Sequence, residues 1–318
     1  MIIQILLLVL GLGLLIKGAD WMVSGATALA KKHQISDLAI GLTIVAFGTS
    51  APELVVNTFA ALQNHHDLVF GNVIGSNNVN LFFILGISGL ITPLVVQSST
   101  VWKEIPLSLF AVILLFFLAN DLLSPGVNFL SRLDGLILLA MFGAFLFYVY
   151  KQLKTDPQES APDQKHFTNL KIWSFILIGM AGLVIGGRLV VTNAVEMATS
   201  LGVSEKIVGL TIVALGTSLP ELATSVVAAL KKNNDIAVGN IIGSNIFNIF
   251  LILGISSVLT PVSYHPVFNT DLILLAIGTF ILFIAMFTGK RKKLDRWEAG
   301  ILLLVYIAYT VYIILKEL

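Results

Sequence analysis

The chain has 318 residues, 57% hydrophobic and 12% charged, with a formal net charge of +1 and a mean hydropathy of +0.94. Soluble domains carry about 25% charged residues, so the composition excludes a soluble protein and, with it, a basic nucleic-acid-binding domain. Cysteine is absent, which rules out disulfides, thiolate metal sites and cysteine nucleophiles.

A helix needs about 20 apolar residues to cross a bilayer. Ten stretches qualify: 2–29, 36–62, 68–92, 104–120, 132–150, 171–200, 205–230, 236–260, 268–288 and 295–316. The first is apolar from Ile2 and lacks a basic leading region, so it reads as a span rather than a cleaved signal. Lys17 and Asp20 lie three apart on it and can pair. Together with Arg188 and Glu196 on the sixth span they read as snorkelling or interfacial charges.

The second span contains GLTIVAFGTSAPELVV (41–56). Pro52 cannot donate to the Gly48 carbonyl, and its ring pushes that carbonyl aside, so a broken helix is expected here. A carboxylate as deep in hydrocarbon as Glu53 faces a cavity, a partner or an ion path. Thr49, Ser50 and Glu53 are hard oxygen donors of the kind Na⁺ and Ca²⁺ prefer.

The third span contains GNVIGSNNVNLFFILG (71–86). Ser76 and Asn80 share a helix face and read as cation ligands. Asn77 lies off that face and reads as an interhelical hydrogen-bonding residue. Gly71 and Gly75 permit close helix approach.

Segment 151–170 is polar and holds two prolines. It reads as a flexible tether between two halves, 1–150 and 171–318. The five histidines, at 33, 65, 66, 166 and 265, fall in or beside loops without metal-ligand spacing.

A shift of 168 aligns the halves without a gap from Gly41 to Pro93. Residues 41–56 match 209–224 at twelve of sixteen positions, and 71–86 match 239–254 at eleven of sixteen. Glu221 repeats Glu53, Ser218 repeats Ser50, Thr217 repeats Thr49, Ser244 repeats Ser76 and Asn248 repeats Asn80. Five spans separate equivalent positions; five is odd, so the second copy is inverted. The expected fold is an all-α integral membrane protein of ten transmembrane helices in two inverted five-helix repeats. Secondary transporters of this design bind their cargo near the midplane, where broken helices meet.

Alternate connections carry fourteen Lys and Arg residues, against Arg132 and Lys206 near the ends of the other set. The richer set faces the cytoplasm, which leaves both termini outside a cytoplasmic membrane. No nucleophile–base pair, phosphate loop or His-rich site marks an enzyme, and no cofactor is expected. One chain supplies both halves, so it is expected to work as a monomer.

The doubled motifs G-T-S-x-P-E and G-N-x-x-G-S-N-x-x-N resemble the α-repeats of the cation/Ca²⁺ exchanger superfamily, specifically prokaryotic Na⁺/Ca²⁺ exchangers. The resemblance implies Na⁺ and Ca²⁺ as transported ions. It implies Glu53, Glu221, Ser50, Ser218, Ser76, Ser244, Asn80 and Asn248 as side-chain ligands. It also implies ligation by the backbone carbonyls of Ala46, Thr49, Ala214 and Thr217, and spans 1 and 6 sliding across a core of spans 2, 3, 7 and 8. Asn at both 80 and 248 argues against K⁺ dependence, which in relatives accompanies Asp at the second position. The nearest rival is a Ca²⁺/H⁺ exchanger; its branch shows G-N-x-x-E, where this chain runs into Ile74-Gly75 and Ile242-Gly243, with glycine at the acidic position. A passive cation channel is the more distant one.

Overall fold

The computed structural model describes residues 2–120, 128–153, 167–201, 214–289 and 292–317. Its membrane-crossing helices are α1 (Ile2–His33), α2 (Asp37–Leu62), α3 (His66–Ile91), α4 (Thr100–Ala119), α5 (Arg132–Leu153), α6 (Asn169–Ser200), α7 (Leu219–Leu230), α8 (Asn234–Leu259), α9 (Pro266–Ala285) and α10 (Arg296–Glu317). Among the described residues, all but α7 are long and apolar enough to span a membrane. The start of the seventh predicted span, 205–213, and most of the 151–170 tether lie outside the described residues. The other spans fall within a few residues of the hydrophobic stretches.

Two small ribbons make the inversion visible. The strand after α3, β1 (Leu94–Val95), pairs antiparallel with β4 (Lys293–Leu294), which leads into α10. The strand before α5, β2 (Phe129–Leu130), pairs with β3 (Val262–Ser263), which follows α8. The ends of α3 and α8 are five crossings apart, so the two ribbons cap opposite faces. The protein is therefore an all-α, multi-pass membrane fold of two inverted five-helix repeats.

Burial separates core from periphery. The most apolar windows of α8 and α3 are 83% and 72% buried, against 22% for α1 and 17% for α10. The outer helices turn Leu6, Leu10, Leu304 and Val311 outward, as a lipid-facing surface requires. Helices α1 and α6 pack antiparallel through glycines. A Cβ at Gly11 would lie 2.9 Å from the Gly186 carbonyl oxygen, and one at Gly18 would lie 2.8 Å from that of Gly179. Gly179 and Gly186 are Gly11 and Gly18 shifted by 168, so the contact is reciprocal about a pseudo-two-fold axis. Small residues at such a seam let the backbones approach closely.

Candidate functional site

Helix α2 begins with Ser36 capping it: the Ser36 hydroxyl accepts from Ala39 N at 3.2 Å. A π-helical turn over Gly41–Val45 follows, then α-helix from Ala46 to Leu62. The expected break at Pro52 does not occur: the backbone stays helical through it. Proline deletes one intrahelical bond, and the helix continues across the gap. The segment is closely packed: a Cβ at Gly48 would lie 2.7 Å from the Met180 methyl and 2.8 Å from the Met22 methyl, and one at Gly243 of α8 would meet Ala46 Cβ at 2.8 Å. In the second repeat the chain does break. The helical turn Ala214–Gly216 ends, Thr217 and Ser218 form a turn, and α7 restarts at Leu219. Pro220 then occupies the first turn of a helix, where its missing N–H is unused anyway.

These helices converge on buried carboxylates. Glu53 and Glu221 are each 1% exposed and lie within electrostatic reach of one another. Ser50, on the Glu53 helix, donates to Glu221 Oε1 at 3.0 Å and lies 3.0 Å from Ser244 Oγ. Ser244 approaches the same Oε1 at 3.5 Å. Thus residues of α2, α7 and α8, drawn from both repeats, meet around one carboxyl group. Ser76 and Ser218 are buried beside no hydrogen-bonding partner.

Helices α3 and α8 pack against one another, each bearing a π-helical turn at the repeat-related stretches Val79–Ile84 and Phe247–Leu253. Such turns recur at functional sites. Their asparagines join across the repeats. Asn80 Nδ2 donates to Asn245 Oδ1 at 3.0 Å, and Asn248 Nδ2 donates to Asn77 Oδ1 at 2.9 Å. Asn77 Nδ2 donates to the Asn245 carbonyl at 3.2 Å. The threonines are tied the same way. Thr49 donates to Asn240 Oδ1 at 3.0 Å, with the Ala46 carbonyl 3.2 Å away, and Thr217 donates to Asn72 Oδ1 at 3.2 Å. Asn72 and Asn240 were not singled out from sequence as site residues. Their signal was available: both stand in the doubled G-N-x-x-G motif. Ala214 begins the helical turn before Thr217.

Seven oxygens in this region are buried without a hydrogen-bond partner: both of Glu53, Oε2 of Glu221, the hydroxyls of Ser76 and Ser218, and Oδ1 of Asn80 and Asn248. An unpartnered buried polar atom costs about 1–3 kcal/mol. A concentration of them, all acceptors or able to act as one, is a donor set for a cation.

The sodium/calcium exchanger protein family matches residues 3–151 and 171–315. The chain belongs to that family. A relative named sodium/calcium exchanger MaX1, from Methanosarcina acetivorans, is 32% identical over 97% of this exchanger and 98% of its own length. Inner membrane protein YrbG of Escherichia coli is 36% identical over 95% and 94%. A solved structure of the sodium-calcium exchanger NCX_Mj superposes with a TM-score of 0.82 at 31% identity, covering 98% of this exchanger and 99% of that chain.

The other intramembrane charges are arranged differently from their spacing in the sequence. Asp20 pairs with Lys231 at 2.6 Å rather than with Lys17. Lys17, Arg188 and Glu196 are exposed; Arg188 and Glu196 line a groove between α6 and the start of α1, where Gln4 Nε2 donates to Glu196 Oε2 at 3.5 Å.

Proposed function

We propose that this exchanger carries Na⁺ one way and Ca²⁺ the other by alternating access at the midplane site. The carboxylates of Glu53 and Glu221, the hydroxyls of Ser50, Ser218, Ser76 and Ser244, and the amide oxygens of Asn80 and Asn248 hold the cargo. Carbonyls of Ala46, Thr49, Ala214 and Thr217 complete the set; the hydroxyls of Thr49 and Thr217 are spent on Asn240 and Asn72, which leaves these residues their backbone oxygens. The seven unpartnered buried oxygens, contributed by both repeats, carry this reading. Ca²⁺ takes six to eight oxygen ligands, and two ionised carboxylates neutralise it. Several Na⁺ at staggered positions would reuse the same oxygens, so the two loadings exclude one another. An unloaded site would expose bare charge to hydrocarbon during the switch, which couples the fluxes.

Residues 1–150 and 171–318 form the two inverted five-helix repeats, joined by a cytoplasmic tether, 151–170. The protein lies in the cytoplasmic membrane with both termini outside, supported by the fourteen Lys and Arg residues on one set of connections. It works as a monomer, because every ligand comes from one chain. The glycine seam between α1 and α6 suits a pair that slides as a unit over α2, α3, α7 and α8.

The test is Ca²⁺ uptake into proteoliposomes under an imposed Na⁺ gradient and, separately, under a pH gradient alone. Uptake should follow the Na⁺ gradient. Equal uptake driven by pH would make the protein a Ca²⁺/H⁺ exchanger, and Ca²⁺ flux without any counter-ion would make it a channel.

A further inference from the structure

Asparagine is an ambiguous cation ligand, because one end of its amide accepts and the other repels a cation with N–H. Something must decide which end faces the ion. At Asn248 the decision can be followed from a fixed point. The Asn245 backbone carbonyl can only accept, so the Asn77 atom 3.2 Å from it is the donor, Nδ2. The other end of Asn77 is then Oδ1, and it accepts from Asn248 Nδ2 at 2.9 Å. With its nitrogen held, Asn248 turns Oδ1 away, and that atom has no protein partner. At Asn80 the nitrogen is likewise held, by Asn245 Oδ1 at 3.0 Å, and Oδ1 has no partner; among the described residues, Asn245 has no backbone contact that orients it, and its own Nδ2 is unpartnered. All four side chains are at most 1% exposed, so water does not compete for the amide ends.

We propose that Asn77 and Asn245 are positioning residues: each clamps the amide nitrogen of the opposite repeat's ligand, Asn248 or Asn80, so that only oxygen is offered to the cation. This rests on the site assignment above and deepens it. Each repeat's ligand is thereby set by the other repeat. The third residue of G-S-N thus acts through its neighbour across the pseudo-two-fold axis and touches no ion itself. A helix-pairing role alone would require the bonds but would not leave both ligand oxygens unpartnered.

The experiment is a pair of double-mutant cycles in proteoliposomes. Asn245→Leu leaves Asn80 Nδ2 without an acceptor and frees the amide to present N–H. The KM for Ca²⁺ in Na⁺-driven uptake should rise about tenfold, with the maximal rate changed far less. In an Asn80→Asp background both terminal atoms accept, so orientation no longer matters. There the same Asn245→Leu change should shift KM by less than about twofold. Equal KM shifts in the two backgrounds would mean that Asn245 only packs, and would overturn the proposal. The cycle Asn77→Leu with Asn248→Asp reads the other clamp should the first variant fail to fold. Ca²⁺ binding to the purified protein by calorimetry replaces KM wherever turnover is too slow. Failure of this cycle leaves the site standing if Glu53→Gln still stops exchange; normal exchange by Glu53→Gln would remove the site itself.

Discussion

Glu53 and Glu221 occupy the same position in G-T-S-x-P-E, but their surroundings differ. Glu221 sits in the first turn of α7, where free backbone N–H groups and the helix dipole favour an anion. Two serine hydroxyls reach its Oε1. Glu53 sits in the interior of α2, away from either helix end, and neither of its oxygens has a hydrogen-bond partner. The first-repeat carboxylate depends on a cation for its compensation; the second has support from the protein itself. An inverted repeat therefore need not yield two equal half-sites, even when the residues match.

The largest effects should come from the acids. Glu53→Gln and Glu221→Gln each keep the shape and remove one charge, and each should lower Na⁺-driven Ca²⁺ uptake by about a hundredfold or more, since a divalent ion would then be half-neutralised. The comparison predicts a difference in stability. Melted without Na⁺ or Ca²⁺, Glu53→Gln should gain more than Glu221→Gln, because it removes the less supported buried charge. Matching thermal shifts for the two variants would erase the distinction drawn here.

The backbones differ as well. Pro52 lies within a continuous helix and Pro220 at a helix start. An interior proline costs a helix about 3 kcal/mol, whereas one in the first turn is tolerated. Pro52→Ala should therefore raise the melting temperature clearly, while Pro220→Ala should leave it near the parent value. A larger gain at Pro220 would contradict the two backbone paths.

The serines give a smaller and more selective contrast. Ser50→Ala removes the hydroxyl that bridges Glu221 and Ser244, so it should destabilise the cation-free protein by about 1 kcal/mol. Ser218→Ala removes a buried oxygen with no partner. It should leave that stability unchanged or raise it, while weakening Ca²⁺ binding. Calorimetric melting beside Ca²⁺ titration separates the two; a loss of cation-free stability on Ser218→Ala would count against its role as a ligand.

These contrasts mark what the residues alone could convey. Hydrophobic runs located the spans, and a constant shift of 168 across an odd number of crossings implied the inversion that the β1–β4 and β2–β3 ribbons display. The intramembrane acids and their neighbouring hydroxyls stood out because polar atoms are conspicuous in hydrocarbon. The path at the prolines was not legible: G-T-S-x-P-E is the same string twice, yet one copy runs as continuous helix and the other is interrupted before its proline. Asn72 and Asn240 were not singled out, because their part depends on the threonine hydroxyls that face them from the other repeat. Local spacing suggested Lys17 for Asp20, while the actual partner lies 211 residues away.

That last contact sets the smallest prediction. Lys231 Nζ reaches Asp20 Oδ1 at 2.6 Å, the Asp20 carbonyl at 2.9 Å and Ser24 Oγ at 2.8 Å, tying α1 to the end of α7. The repeat-related residues are Arg188, Thr192 and Gln63, and arginine with glutamine cannot form the equivalent ion pair. The tie therefore exists in one repeat only and, on the sliding of α1 over α7 proposed above, favours the position of α1 seen in this structure. A partly exposed pair of this kind contributes at most about 1 kcal/mol, so the bias is at most about fivefold. Lys231→Met should shift the ratio of Ca²⁺ KM values measured from the two sides of oriented vesicles by up to that factor, with the maximal rate little altered. The exchanged pair, Asp20→Lys with Lys231→Asp, should restore the ratio. If Lys231→Met leaves the ratio at the parent value, the tie is only a surface contact, and the two faces of the protein are balanced in spite of it.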